Sequence, residues 1–537
     1  MKKIKYLFIS IVMGATLTSC GDSFLTQYPE GGVLLEDQFA TLPDNLAGSI
    51  MGIYSKLYEY GGDHDVFGQR SIDMYGDIQC GDMAMADSKY GWFEVYERGY
   101  FYAYARSYMW SYYYEIINLA NLGAAAVEQN VPEIISTISS GEEPTETIKL
   151  QGYYYGQLLA LRGWAYSKLL NFYCDPMDAL QNSMDDEKAI PIYTEVEIKE
   201  GTLGEPLSTV SEVYDLIYQD LFTAIEILDF YGQLNARGSK LEVNADVARL
   251  MLAYAMLNHG NKEGTIIADG KNAYEIAFER AKEVIDSNRY PMLSQAELYT
   301  TGFSDVNAKN WLWGQDVTVE TTTALASFFG QVDIHSYSYA AAGDTKAIDS
   351  NLYDSIVATG WDARVGWFNS GSDDFPYCPN RKFYSPAYKD ETKLDKVDRD
   401  WLCDNVFMRV ELAYLIAAEA AFQNGDEATA KQYLKDLCYE RILDDKTTAD
   451  VDAWLDPLSG EFLKAAIIYN WRVEMWGEGY GLQTFRRLTK SVKLGTNHLD
   501  RGDTDISVDE QFQCEIPTSE YRYNPSLATT VLTTKND

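Results

Sequence analysis

Two stretches of this chain interleave aromatic rings with small polar and acidic residues. The first, Asp77 to Arg98, carries Asp82, Tyr90, Trp92, Phe93 and Tyr96; the second, Ser327 to Phe368, carries Phe328, Phe329, His335, Tyr337, Tyr339, Trp361, Trp367 and Phe368. A planar ring offers an apolar face, and tyrosine adds a hydroxyl at its edge. A ligand with C–H patches on one face and hydroxyls around its rim, as a sugar has, is met by such a mixture in a shallow, wet groove. Trp92, Tyr90 and Asp82 are the candidates from the first stretch, Tyr337, Tyr339, Phe328, Trp361 and Trp367 from the second, with Trp92 foremost. For each ring, packing within the loop competes with ligand contact.

The groups that catalysis needs are not assembled in any familiar spacing. His64, His259, His335 and His498 stand apart, without an HExxH-like pattern. No GxSxG elbow, P-loop or dinucleotide fingerprint occurs, and Gly477-Glu478-Gly479-Tyr480-Gly481 lacks the required spacing. The 81 acidic residues supply carboxylates without singling out a pair. The chain therefore reads as a binding protein, not an enzyme, with no cofactor and no metal site. So acidic a loop region admits a structural calcium ion, but no EF-hand-like loop supports one.

The N-terminus has a chemistry of its own. Lys2, Lys3 and Lys5 precede an apolar run from Tyr6 to Leu17, followed by Leu17-Thr18-Ser19-Cys20. A charged start, a short apolar core and small residues before a cleavage point make a secretory signal over residues 1–19. That run falls short of the roughly 20 residues of a spanning helix. The Leu-Thr-Ser-Cys ending resembles a bacterial lipobox, making Cys20 the acylated first residue of an exported, anchored protein. The remaining cysteines, Cys80, Cys174, Cys378, Cys403, Cys438 and Cys514, are scattered without CxxC or metal-like spacing and read mainly as buried small hydrophobes, although an exported chain admits a disulfide. With 44 basic against 81 acidic residues and a net charge of −37, the chain repels phosphate backbones, which speaks against nucleic acid as a partner.

Helical elements must position the two aromatic stretches. Val210, Val213, Ile217, Leu221, Ile225 and Leu228 mark one face of a helix. Val406, Val410, Tyr414, Ala417 and Ala421 mark another, which Asn424-Gly425 ends and Asp426 follows as a cap for a helix carrying Ala430, Leu434, Leu437 and Cys438. Similar reasoning predicts helix pairs over 151–173 with 209–230, over 244–258 with 271–288, and over 45–58 with 107–127. Small residues at the waist of such pairs resemble tetratricopeptide units, but insertions of unequal length remove a fixed period. The expected fold is mainly α: one unit from 20 to 537, with a tetratricopeptide-like scaffold over about 40–290 and 402–445. Irregular, loop-rich ligand-binding regions are expected over about 291–401 and 446–537. Trp311 and Trp313 suit a short core strand before the second insertion.

Several motifs in this order resemble the SusD/RagB family of Bacteroidetes outer-membrane lipoproteins over nearly the whole length. After Cys20 come Asp22, Phe24-Leu25 and Pro29; Leu161-Arg162-Gly163-Trp164-Ala165-Tyr166 runs to Leu170-Asn171-Phe172-Tyr173, where Cys174-Asp175-Pro176 replaces the usual glycine turn. Tyr214-Asp215-Leu216-Ile217, then Arg409, Glu411, Glu419-Ala420, then Trp471-Arg472-Val473-Glu474-Met475, Glu478-Gly479 and Phe485-Arg486-Arg487 follow, before Ile516-Pro517 and Asn524-Pro525. The resemblance implies a cell-surface lipoprotein of the outer membrane. Such a protein captures a nutrient glycan and delivers it, as a lid, to a SusC-like TonB-dependent β-barrel transporter. Oligopeptide capture by the same architecture, or a scaffold without its own ligand, would be the alternatives. The Arg and Glu residues of the motifs read as paired charges that fix helix packing.

Overall fold

The computed structural model describes residues 43–98, 103–174, 184–195, 204–234, 239–260, 267–300, 302–335, 337–383, 402–489, 491–507 and 513–528. Cys20 and the signal segment lie outside these residues, as do Asp22 to Pro29.

In chain order the elements that matter are α1 (Asp44–Lys56), α2 (Gln69–Gln79), β1 (Met83–Met85), α3 (Ala103–Ala126) and α4 (Glu146–Tyr173). Next come α5 (Val210–Leu234), α6 (Ala245–His259), α7 (Ala273–Asp286), β2 (Trp311–Gln315) and β3 (Lys346–Ile348). The last are β4 (Asn405–Arg409), α8 (Val410–Gln423), α9 (Glu427–Tyr439), α10 (Glu461–Glu474) and α11 (Gly481–Leu488). Helices α1, α3, α4, α5, α6, α7, α8 and α9 form a stack in which each packs on the next. All four predicted pairs are present: α1 with α3, α4 with α5, α6 with α7, and α8 with α9.

Local chemistry sets the ends of these helices. Asn244 accepts the N–H groups of Asp246 and Val247 at the start of α6, and Asn272 with Glu275 forms a capping box on α7. Asp426 caps α9 through the Thr429 N–H at 3.0 Å, just after Gly425 turns the chain at φ +82°. Along α4 the backbone itself is the contact surface. A Cβ on Gly156 would lie 2.9 Å from Ile227 and Leu228 of α5, and one on Gly152 would lie 2.8 Å from the Tyr231 ring. Arg162 then joins three helices, donating to Asp220 of α5 at 2.7 and 2.8 Å and to Asn121 of α3 at 2.8 Å.

The chain leaves the stack after α7 and returns at α8, yet α7 packs directly on α8. The antiparallel pair β2–β4 closes this excursion by pairing Trp311 with Arg409, and Trp311 and Trp313 are buried, as expected of a core strand. This large insertion explains the missing fixed period. One expectation needs correction: the region after 446 is substantially helical, with a helix over Thr448–Leu455 as well as α10 and α11. Its helices bury Asn470, Glu474, Gln483, Thr484 and Arg486, so apolar periodicity is broken on their inward faces.

Those inward polar faces build an ionic core. Glu474 accepts Arg409 and Arg441 on one oxygen at 2.7 and 2.9 Å, and Arg441 and Arg364 on the other at 3.1 and 3.2 Å. Arg409 also grips Glu478 at 2.8 and 2.9 Å, Arg441 reaches Glu411 at 2.9 Å, and Arg364 forks onto Asp362. Burial alone would raise the Glu474 carboxyl; Arg441, Arg409 and Arg364 overcome it and hold that carboxyl well below the usual range. Arg487 makes a comparable fork onto Glu419, at 2.5 and 2.8 Å. The motif residues thus hold elements together: Glu474 ties α10 to the insertion through Arg364, and Arg487 ties α11 to Glu419 of α8. The six described cysteines are all buried.

Candidate functional site: an exposed aromatic platform

The two aromatic stretches meet because β1 and β3 pair. Their antiparallel register sets Met83 against Ile348, Ala84 against Ala347 and Met85 against Lys346. Beyond the strands the ribbon continues, with Ala86 N–H donating to the Thr345 carbonyl and Lys89 N–H to the Gly343 carbonyl, both at 3.0 Å. Tyr90 and Trp92 are thereby carried alongside Tyr339, which opens the one-turn helix Tyr339–Ala342.

Asp344 holds the turn that presents them. Its buried carboxylate accepts the N–H groups of Lys89 and Tyr90, each at 2.6 Å, and of Trp92 at 3.3 Å. Gly91, at φ +83°, lets the chain bend around that carboxylate. Replacing Asp344 with alanine would leave three amides without their charged acceptor. The expected result is a stability loss of ~2 kcal/mol and a several-fold weaker ligand, the latter from lost positioning. Thermal melting and calorimetry read the two effects separately.

The rings form a continuous surface. Trp92 stacks on His64 at 5.2 Å and 21°, and Tyr339 meets His64 edge-on at 5.4 Å. The Tyr339 hydroxyl bonds His64 Nδ1 at 2.8 Å, and its ring meets Trp92 edge-on at 6.1 Å. Tyr90 packs edge-on against Tyr339 at 5.5 Å, and Tyr60 against His64 at 6.1 Å. Tyr60 is 47% exposed and Tyr90 55%, while Trp92 and Tyr339 are half-buried. Tyr337, two residues before Tyr339 in the chain, is 55% exposed. Rings that brace one another while keeping open faces are preorganised for stacking.

A buried relay anchors the His64 loop. Lys346 Nζ donates to Gln331 Oε1 at 2.8 Å, and Gln331 Nε2 donates to the His64 carbonyl at 2.9 Å. Burial lowers the Lys346 amine to about 7. On the other side of the ribbon His498 lies between Glu97 at 2.7 Å and Asp349 at 3.1 Å, and Glu97 also accepts the Met85 N–H at 3.1 Å. Burial disfavours charge on His498, but its hydrogen bonds to Asp349 and Glu97 outweigh it and raise the imidazole above its ordinary 6.5. A raised histidine stabilises the fold fully below the unfolded value and loses that contribution as pH rises through the folded one. The gap in melting temperature between the wild type and His498→Gln should therefore be widest near pH 6 and shrink toward pH 9. A gap independent of pH would show that His498 carries no charge in the fold.

The remaining candidates do not face this surface. Asp82 is buried, accepting Arg472 Nε at 2.6 Å, while its carbonyl accepts the Trp476 indole at 2.8 Å. Phe328 lies under the Arg70 guanidinium at 3.9 Å and edge-on to Phe383. Trp361 packs on Trp454 beside Cys438 and Val451, and Trp367 sits edge-on to Phe303 under Lys382. These three rings are core filler for an insertion too long to stay unpacked. Conversely, Tyr60 and His64 belong to the platform. Their short loop follows α1 and lies outside the two aromatic stretches, and His64 reads in the sequence as an isolated histidine.

Among the described residues no group of three His, Cys, Asp or Glu side chains is arranged to hold a metal ion, and no helix is long and apolar enough to cross a membrane.

Residues 49–252 match a family model described as starch-binding associating with outer membrane, and residues 370–525 match the SusD family model. No curated protein matches the sequence. Among solved structures, a SusD-like carbohydrate binding protein from Bacteroides vulgatus is 23% identical, with a TM-score of 0.65 over 90% of this chain and 97% of its own. A SusD superfamily protein from Bacteroides thetaiotaomicron is 19% identical, with a TM-score of 0.64 over 90% and 98%. Another from Bacteroides fragilis, also 19% identical, has a TM-score of 0.65 over 91% and 99%. These likenesses establish the helical fold; the first family model runs from within α1 into α6, and the second takes in β4 and α8 to α11. The chain belongs to the SusD/RagB family.

Proposed function

We propose that this chain is a lipid-anchored protein of the outer-membrane surface that binds a nutrient oligo- or polysaccharide and passes it to a TonB-dependent transporter as its lid subunit. The observation that carries the reading is the platform of Tyr60, His64, Tyr90, Trp92 and Tyr339, whose rings are braced from beneath and open above. Such rings cover sugar C–H faces, and the hydroxyls of Tyr90 and Tyr337 reach a ligand's rim. The lipobox ending at Cys20 supports the anchor, and family membership supports carbohydrate as the ligand class and the transporter as partner.

The test is calorimetry of the soluble form lacking Cys20 against a panel of polysaccharides, with oligopeptides alongside. Binding to one glycan class supports the proposal. Binding to peptides alone would replace glycan capture with peptide capture by the same architecture.

A further inference from the structure

A second concavity, built from other elements, opens between α3, the segment Tyr193–Glu195 and the short helix Thr518–Tyr523. It encloses about 410 Å³ and is lined by Trp110, Tyr114 and Tyr193 among other residues. These rings are not coplanar. Trp110 and Tyr114 lie 4.8 Å apart at 48°, and Tyr114 and Tyr193 lie 5.7 Å apart at 81°, so they form a corner, not a platform.

Among the described residues, every charged side chain that lines the cleft is acidic: Glu115, Glu195 and Glu520. Glu520 is held in place, accepting the Trp110 indole N–H at 3.2 Å on one oxygen and the Asn524 amide at 3.0 Å on the other. Asn121 fixes the opposite wall by donating to the carbonyls of Tyr193 and Glu195 at 3.0 and 3.3 Å. The guanidinium of Arg162 lies behind Asn121, with its donors committed to Asp220 and Asn121. Lys56 meets Glu115 from outside the lining. The cleft therefore offers aromatic faces and carboxylate acceptors at once, which repels anions and gives a neutral hydroxyl no charged donor. Ring faces set at an angle and backed by carboxylates suit a weakly hydrated cation.

We propose that this cleft is a second binding site, which takes an organic cation: an alkylammonium or guanidinium group resting on Trp110, Tyr114 and Tyr193 and paired with Glu520 and Glu195. The inference goes beyond glycan capture and does not rest on it. The cation's source is either a free small amine or the side chain of a basic residue, and the test separates them.

Calorimetry on the soluble form would use choline, its neutral isostere 3,3-dimethylbutanol, and acetyl-arginine amide. The expected result is binding of at least one cation and none of the isostere; choline binding marks a small amine, and binding of the arginine amide alone marks a basic side chain. Glu520→Gln should weaken the cation ~5-fold or more, and the exposed Glu195→Gln, which spares the fold, at least ~2-fold. Trp92→Ala should change neither. Equal binding of the isostere, no binding of either cation at millimolar concentration, or full affinity in both glutamine variants would overturn the proposal.

Discussion

Glu474→Gln is expected to lower the unfolding free energy by about 3–5 kcal/mol, the usual cost of removing one partner from a fully buried ion set. Glu474 is wholly buried and meets Arg364, Arg409 and Arg441, so the variant leaves three guanidinium groups with one negative charge fewer in a site closed to bulk solvent. Glutamine also brings an NH2 where an acceptor is needed, facing donors. Urea titration should show the midpoint falling with little change in slope. An exposed pair supplies the contrast. Lys493 and Asp503, 48% and 77% exposed, should cost under ~1 kcal/mol when Lys493 is replaced by glutamine. Similar losses in the two variants would refute the view that the motif's Arg and Glu residues hold the fold.

The second large effect concerns the ligand. Replacing Trp92 and Tyr339 together with alanine should weaken glycan binding by about 100-fold or more, since central aromatic anchors carry about 2 kcal/mol or more each. Both rings lie at the centre of the platform, and their loss also frees His64 from its stack and its hydrogen bond. Stability should fall far less than in Glu474→Gln, because both rings are only half-buried. Affinity gel electrophoresis on the glycan class found by screening reads the loss directly. Retention close to that of the wild type would remove the platform as the site.

How far these features could be read beforehand differs by element. The scaffold was legible because α5 and α9 bury one apolar face each, so period 3.6 survives in their residues, while α8, buried nearly all round, is marked by the Asn424-Gly425-Asp426 stop that follows it. Helix α2 was not legible: it is buried on every side, and its Gln69, Arg70, Asp73 and Asp77 answer polar partners inside the protein. The same holds for α10 and α11, whose inward residues serve the ionic core. At the platform, composition pointed to the two stretches from which its rings are mostly drawn and to Trp92, Tyr90 and Tyr339. It could not separate those rings from Phe328, Trp361 and Trp367, since an aromatic residue in an aperiodic segment has the same signature whether it packs inward or outward. The pairing of β1 with β3 decides between them, and strands of three residues leave no periodic trace. His64 escaped for a related reason, as only the fold brings it under Trp92 and Tyr339.

A crystal structure of the soluble form with its glycan tests the central claim most directly. A sugar ring should lie with its C–H face within about 4 Å of Trp92 or Tyr339 and its hydroxyls toward Tyr90, Tyr337 or Tyr60. A glycan bound elsewhere, whether in the acidic cleft beside Trp110 and Glu520 or on the stacked helices, with the platform bare, would contradict it.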